Sequence, residues 1–320
     1  MLGRVAHTGA LERKTFDVSE ATPKTTVSAG RGEAPQEAER HQVQRYWDAH
    51  PISIDSVDFE RGSRESFEAI YARWQKTGTP HRQEFLETCR NEKVLEVGCG
   101  IALDGRFLSE NGVDYQAVDV SRQSLKLACE HFRHNDLPQR FTNADATCLP
   151  FADGTFGLAY SIGVLHHVPD TPHACQEIGR VIKPGGKLRV MFYCRDSYHH
   201  GLVTHVVQPL IWLLLHIPFG ARIVRMGPAK LRSMFEIVQK HGFSKQRLLD
   251  ISSDTSEAGD DNFNPHSSFY TERELREIFQ DFEDFHFWKT DLKYFPLPWL
   301  RDFVERKWGF FLHMTARKRN

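Results

Sequence analysis

The sequence predicts an α/β fold, a mostly parallel sheet with helices on both faces. Three observations carry this. Between residues 93 and 194, short Val-, Leu- and Phe-rich runs alternate with amphipathic stretches, the pattern of βαβ units. The first run ends in glycines, Gly98 and Gly100, where a strand would turn into a helix. An acidic residue, Asp119, closes the second run 21 positions after Gly98.

Residues 1–38 are rich in Thr, Ser, Ala, Gly and Glu without apolar periodicity and are expected to form a disordered tail. Residues 39–90 read as a helical lid with aromatics at Tyr46, Trp47, Phe67, Tyr71 and Trp74, broken at 51–59 by Pro51 and the residues after it. The core occupies 91–194. Its strands are expected at Lys93–Val97, 115–120, 140–145, 156–164 and 187–194. A helix over 103–111 stops at Asn111-Gly112, Ser121 caps a second through Phe132, and a third near 172–181 ends at Pro184-Gly185-Gly186. The alternation then ceases until Thr271, so 195–270 is an inserted cap, and long insertions are usually functional. Its clearest helix begins at Pro228, aligns Leu231, Met234, Phe235 and Val238, and stops at Gly242. A capping box, Thr271 with Glu274, opens the last part, 271–320, which returns to the core with closing strands at 283–289 and 309–318.

The 320 residues carry 41 Lys and Arg against 42 Asp and Glu, a balance that argues against nucleic-acid binding. An apolar fraction of 40% excludes disorder throughout. The 6 cysteines form no CxxC pair, which argues against a disulfide framework or structural zinc site and fits reduced thiols in the cytoplasm. The N-terminus has no apolar run of a secretory signal, and its basic residues are mixed with Glu12, Asp17 and Glu20. The most apolar stretch, 202–219, is interrupted by Pro209, Pro218, His205, His216 and Gln208 and does not read as a spanning helix.

Glycines in the turn from Glu96 to Gly100 let the backbone approach a nucleotide-like ligand and leave amides free at a helix N-terminus. A carboxylate at the position of Asp119 can accept both ribose hydroxyls of an adenosine ligand. Dinucleotides and S-adenosylmethionine both fit this pattern. The dinucleotide fingerprint wants a small residue where Leu103 stands. Glu96 gains nothing beside a pyrophosphate but suits the cationic sulfonium and ammonium of S-adenosylmethionine, directly or through the loop. The carboxylate favours the methyl donor. A plain glycine turn with no ligand is the structural alternative.

The segments VLEVGCGIALDG, AVDVS, ADATCLPFADGTF, SIGVLHHVPD and EIGRVIKPGGKL, in this order, resemble the class I S-adenosylmethionine-dependent methyltransferases. The resemblance is greatest to the broad branch with quinone, sterol and natural-product enzymes. It spans 93–187 and, more weakly, the final strands. It implies a Rossmann-like seven-stranded sheet and S-adenosylmethionine as methyl donor. Glu96, Gly98, Cys99 and Gly100 would wrap the methionine end. Asp119, with Val120 beside it, would hold the ribose. Asp145 would accept from the adenine amino group while the Ala146 amide donates to the ring. Ser161 to His166 would face the sulfonium and the acceptor. Two positions depart from the family pattern: Ala102 replaces a frequent third glycine, where a Cβ disfavours positive φ, and Gly157 replaces the usual Asp.

Methyl transfer is an in-line displacement in which alignment supplies much of the rate, and a hydroxyl or amine acceptor needs only a base for one proton. His166 and His167 follow Leu165 at the carboxyl end of the fourth strand, where open α/β sheets bind ligands. His166, nearer the strand, is the first candidate base; packing of the turn is the alternative for both. Tyr193, Tyr198, His199 and His200, around the end of the fifth strand, are candidates for the acceptor pocket, with Tyr46, Trp47 and Trp74 closing it from the other side. His131 and His134 have no carboxylate or cysteine at ligand spacing, so no metal site is expected. No Asn-Pro-Pro-Tyr-type element marks a nucleic-acid amino-methylating enzyme.

In the cap, the apolar stretch 202–219 precedes Arg222, Arg225, Lys230, Arg232, Lys240, Lys245 and Arg247, with only Glu236 opposing them. Acidic residues such as Asp254, Glu257, Asp260 and Asp261 restore the balance beyond. An apolar element beside a basic one suits an anionic membrane interface or a lipophilic acidic substrate; a buried helix with a solvated basic face is the alternative. The expected function is methyl transfer to a small apolar or aromatic acceptor, at oxygen first, with nitrogen and carbon as the other atoms. The protein is expected in the cytoplasm, with a peripheral membrane contact through the cap and no nucleic-acid partner. Its rivals are a non-catalytic donor-binding partner protein and an NAD-dependent oxidoreductase, which Leu103 disfavours.

Overall fold

Successive buried side chains of the first strand point to opposite faces, and this sets the architecture. Val94 enters one apolar core while Leu95 and Val97 enter another, so the strand requires cover on both faces. A computed structural model describes residues 33–54, 56–77, 82–253, 264–292 and 295–320. Three helices come first, α1 (Glu33–Ala49), α2 (Arg64–Thr77) and α3 (Arg82–Cys89). The core runs β1 (Lys93–Val97), α4 (Leu103–Glu110), β2 (Asp114–Asp119), α5 (Arg122–His134), β3 (Phe141–Asn143), β4 (Phe156–Ile162), α6 (Thr171–Val181) and β5 (Ile182–Cys194). The inserted segment holds α7 (Tyr198–Leu202), joined by a π-helical turn (Val203–Val207) to α8 (Gln208–His216), then α9 (Gly220–Arg225), α10 (Ala229–His241) and α11 (Lys245–Ser252). The chain returns through β6 (Phe269–Tyr270), α12 (Glu272–Ile278), β7 (Phe282–Thr290), α13 (Arg301–Trp308) and β8 (Phe311–Lys318).

The strands follow the order β3-β2-β1-β4-β5-β8-β7, parallel as far as β5 and then antiparallel, with β6 paired to the end of β5. This is the Rossmann-like sheet that the alternation predicts, with β6 as an eighth, two-residue strand too short to carry a period. Helices α3, α4 and α5 cover one face, and α6 and α12 the other. Ser121 caps α5 by accepting from the Ser124 amide, and the Thr271–Glu274 capping box opens α12.

The boundaries differ from expectation in physical ways. Helix α1 starts at Glu33, so residues 33–38 are helical rather than tail; residues 1–32 and the acidic Asp254, Glu257, Asp260 and Asp261 lie outside the described residues. Strand β4 stops at Ile162 because Gly163 turns the backbone at φ 80°. Strand β5 begins at Ile182 and takes in Pro184-Gly185-Gly186, absorbed by a register shift opposite Phe156 and Leu158. Helix α13 was not expected between the closing strands, since it spans eight residues and buries only Val304.

The inserted helices form their own core, with Ile211 and Leu214 of α8 packed on Val224, Met234, Phe235, Val238, Leu248 and Ile251. The 202–219 stretch therefore splits, its other face carrying exposed Val206, Leu210, Trp212 and Leu213. No described helix is long and apolar enough to cross a membrane. All six cysteines are free.

A buried arginine ties helix α2 to the core. Arg106 on α4 donates to both oxygens of Glu68 on α2 at 2.8 and 3.1 Å, and to Glu110 at 2.8 Å. It also lies over the Tyr71 ring. His131 shares this network and contacts the Ile101 carbonyl at 2.8 Å, and burial pushes its pKa down to about 4. Arg106→Met should lower stability by about 2–3 kcal/mol in urea unfolding, because two carboxylates lose their charged partner. Glu68→Gln, at a half-exposed position, should cost under half as much. Equal midpoints for wild type and Arg106→Met would reject the clamp.

Candidate functional site

The turn after β1 compresses three left-handed residues into five positions: Gly98 at φ 80°, Gly100 at 52° and Ala102 at 57°. Ala102 thus adopts the conformation its Cβ was expected to resist, and its buried methyl packs with Leu108 and Ala128 of the α4–α5 face. At Gly98 a Cβ would stand 2.4 Å from a Val164 methyl carbon, so only glycine lets the turn pass the segment after β4. At Gly100 a Cβ would meet nothing within 4 Å, which leaves the backbone open to an incoming group.

Asp119, at the end of β2, joins this turn to α5. One of its oxygens accepts from the Gly100 amide at 2.8 Å and the other from the Ser121 amide at 2.8 Å. Each oxygen keeps a further lone pair for a ligand hydroxyl. Burial raises its pKa to about 6; the Ser121 and Gly100 amides oppose that rise and Asp48 adds to it. Asp145 accepts from the Thr147 amide and hydroxyl through one oxygen, both at 2.8 Å.

A cleft opens here, walled by the ends of β1, β2 and β4. Gly98, Gly100, Asp119, Val120, Asp145, Ala146 and His167 all line it. Helix α1 supplies the opposite wall with Arg40, Val43 and Trp47. It is pinned there by Gln44, which donates to the Val120 carbonyl at 3.2 Å, and by Asp48, which accepts from the Ser121 hydroxyl at 2.8 Å. Of the three aromatics expected to close the pocket, Trp47 lines it, Tyr46 packs behind Trp47, and Trp74 packs instead on Tyr71 and Arg82. Arg40 went unnoticed in the sequence, although Arg40, Val43 and Trp47 share one helical face; its Nε is buried and meets no hydrogen-bond partner.

Other sequence candidates stand outside the cleft walls. Glu96 is buried on the α4–α5 face and accepts from the Tyr115 hydroxyl; burial and then Asp104 raise its pKa well above the usual carboxylate range. It braces the strand and supplies no exposed counter-charge. Cys99 points into the same core. Ser161 is fully buried and donates to the Val97 carbonyl at 2.8 Å, tying β4 to β1. His166 is fully buried beside Tyr193, ring centroids 3.8 Å apart, and burial, then His167, pushes its pKa well below the usual imidazole range.

The structure therefore exchanges the two histidines, since His167 faces the cleft. Its Nδ1 lies 2.8 Å from the His266 carbonyl and its Nε2 3.3 Å from the Tyr193 hydroxyl. Tyr193 thus reaches the site through His167. Tyr198, His199 and His200 do not line the cleft: Tyr198 packs on Phe295, His199 contacts the Ser252 hydroxyl at 3.2 Å, and His200 packs on Phe269. Among the described residues no group of three side chains is placed to hold a metal ion.

Residues 95–190 match the family described as a methyltransferase domain. The chain is 30% identical over 217 residues to methyltransferase GfsG of Streptomyces halstedii, covering 67% of this chain and 69% of that protein. It is 30% identical over 149 residues to phosphoethanolamine N-methyltransferase 3 of Arabidopsis thaliana, 45% of this chain and 30% of that one. It is also 30% identical over 136 residues to sterol 4-C-methyltransferase strm-1 of Caenorhabditis elegans, 40% of this chain and 41% of that one. The chain thus spans most of the first relative and well under half of the other two.

Gly98→Ala should destabilise the fold by about 2–4 kcal/mol, the sum of a left-handed Cβ and an overpacked contact. Combining it with Val164→Ala should recover the packing part. Unfolding midpoints of the two variants check this, and a wild-type midpoint for Gly98→Ala would refute it.

Proposed function

The chain belongs to the class I S-adenosylmethionine-dependent methyltransferases, and we propose that it carries the donor's methyl group to an oxygen of a small, largely apolar acceptor. S-adenosylmethionine supplies an electrophilic methyl group on a sulfonium. The observation that carries the reading is Asp119, an acceptor with lone pairs to spare, set between two backbone amides at the base of an otherwise mostly apolar cleft. Its two oxygens would take the ribose hydroxyls, Asp145 and Ala146 the adenine, and the Gly98–Gly100 backbone the methionine end. In this reading 39–90 act as a lid that excludes water and 195–270 as a cap over the core.

Val43, Trp47, Ile52, Val164 and Val168 give the cleft its apolar walls, which supports an apolar or aromatic acceptor. The relatives' names include an N- and a C-methyltransferase, and the oxygen preference here rests on His167. His167 Nδ1 lies between the His266 carbonyl at 2.8 Å and Asn264 Nδ2 at 2.6 Å, and in the tautomer that donates Nδ1–H to the carbonyl, Nε2 is the basic nitrogen. It can draw a proton from an acceptor hydroxyl, directly or through the Tyr193 hydroxyl. An amine can release its proton to water after transfer and needs this base less. We place the enzyme in the cytoplasm, in peripheral contact with a membrane through the cap.

Methyl-labelled donor, incubated with an extract of apolar metabolites, should yield an O-methylated product; repeated absence of product would sink the enzyme reading, and a solely N- or C-methylated product the oxygen assignment. His167→Ala should lower kcat about a hundredfold or more while donor affinity stays within about twofold. An undiminished rate would remove His167 as the base.

Donor binding should also report Asp119. The ionised form accepts the hydroxyls, so affinity should be full above about pH 6 and fall as the carboxyl protonates below it. Asp119→Ala should weaken binding by about tenfold or more and flatten this profile. Calorimetry across the pH range checks both, and a wild-type profile in the variant would discard the ribose role.

A further inference from the structure

The strand register brings two additions to one edge of the sheet. Tyr193, near the carboxyl end of β5, pairs with Phe311, which also pairs with Thr290 at the end of β7. The β7–β8 connection therefore leaves from the same edge as the cap, which follows Cys194. The cleft opens there too, at the carboxyl ends of β1, β2 and β4. Tyr198 and Phe295, one from each addition, are in ring contact at 5.5 Å.

Both additions turn apolar side chains outward. Around α9, Phe219, Ile223 and Met226 follow i, i+4, i+7 spacing and are 76%, 52% and 87% exposed. In the β7–β8 connection Trp299 and Phe303, four apart, are 77% and 82% exposed. These are not unfilled core positions, because α9 sends Val224 into the cap core and α13 buries Val304. Exposed apolar clusters of this kind mark contact surfaces. Arg222 and Arg225 flank the α9 stripe in solvent, and α9 contains no acidic residue. Arg301, Arg306 and Lys307 outnumber Asp302 and Glu305 on α13.

Apolar tips ringed by cations complement an anionic lipid surface, where side chains enter the headgroup region and arginines meet phosphates. We infer that Phe219, Ile223 and Met226, with Trp299 and Phe303, seat this edge of the enzyme on an anionic bilayer, from which the acceptor enters the cleft. The inference rests on the reading above that the acceptor is largely apolar, and it identifies both the surface and its partner. A substrate dissolved in lipid then reaches the donor without crossing bulk water.

The test is co-sedimentation of the full chain with phosphatidylcholine vesicles with and without phosphatidylglycerol, alongside calorimetry with S-adenosylmethionine on the same samples. Wild type should sediment with the anionic vesicles and release as salt rises. Phe219→Ser with Met226→Ser should lower partitioning about tenfold or more. Arg222→Gln with Arg225→Gln should lower it about tenfold and remove most of the salt response. Donor affinity should hold within about twofold in every variant, showing that the fold and donor site persist. Wild type remaining in the supernatant, or partitioning that ignores both variants, overturns the proposal. So does a lipid-free dimer dispersed by Phe219→Ser with Met226→Ser, which would assign the face to a second copy. Failure of wild type to bind S-adenosylmethionine would instead strike the methyltransferase reading, and vesicle binding would be judged separately.

Discussion

The Asp119 carboxylate is the joint on which the site is assembled. It holds the Gly100 amide on one side and the Ser121 amide on the other, fixing the turn after β1 against the start of α5. Ser121 then passes the connection outward, since its hydroxyl donates to Asp48 and so docks α1 over the cleft. Two acids are drawn close by this arrangement, Asp119 satisfied by two backbone amides and Asp48 by the Ser121 hydroxyl and the Gln123 amide, and the absence of a cation partner in these bonds keeps the region receptive to neutral hydroxyls. Without Asp119, the turn, the helix start and the lid would lose their shared reference.

The strained turn needs this support. Left-handed residues are costly where a Cβ is present, and Ala102 bears that cost directly. Gly98 is held from the other side by Val164, and Ile101 by His131 from the Arg106 network. Support therefore reaches the turn from β4, α5 and α2 at once. The neutral state favoured for Glu96 belongs to the same logic: a carboxyl placed behind the turn, among Tyr115 and Asp104, braces it without adding charge to the cleft.

Much of this was legible in the sequence. The alternation of runs from Lys93 to Cys194 specifies the sheet because both faces of β1 must be covered, and the Gly98–Gly100 turn and Asp119 mark its ligand-facing edge. What stayed hidden depends on direction. Period-two alternation puts Glu96 behind the strand and Val97 before it, but the sequence does not say which face meets the cleft. His166 and His167 are neighbours in one short turn, so a single rotation of that 3-10 segment decides which ring is sealed in and which reaches the cleft. Arg40 and Asp48 were obscured because a polar helix face over a cleft looks like any solvated face. For Tyr198, His199 and His200 the hidden quantity is depth: they lie at the right edge, but Phe269, Phe295 and Phe310 occupy the space beside them.

The near-zero net charge of the chain hides an asymmetry that the fold makes spatial. A cap with its own apolar core has no need of further hydrophobic surface for stability, and each exposed aromatic adds a risk of aggregation. Solvent-facing Phe219, Met226, Trp299 and Phe303 are therefore explained by contact rather than by folding. Because strand register delivers the β7–β8 connection, with Trp299 and Phe303, to the edge that carries Asp119, a surface met there lies on the same side as the cleft. On the proposed reading, recognition of an apolar acceptor is divided, with the surface concentrating it and the cleft between Trp47 and His167 aligning one hydroxyl. That division explains why the cleft walls are mostly featureless hydrocarbon while the polar groups cluster at the donor end.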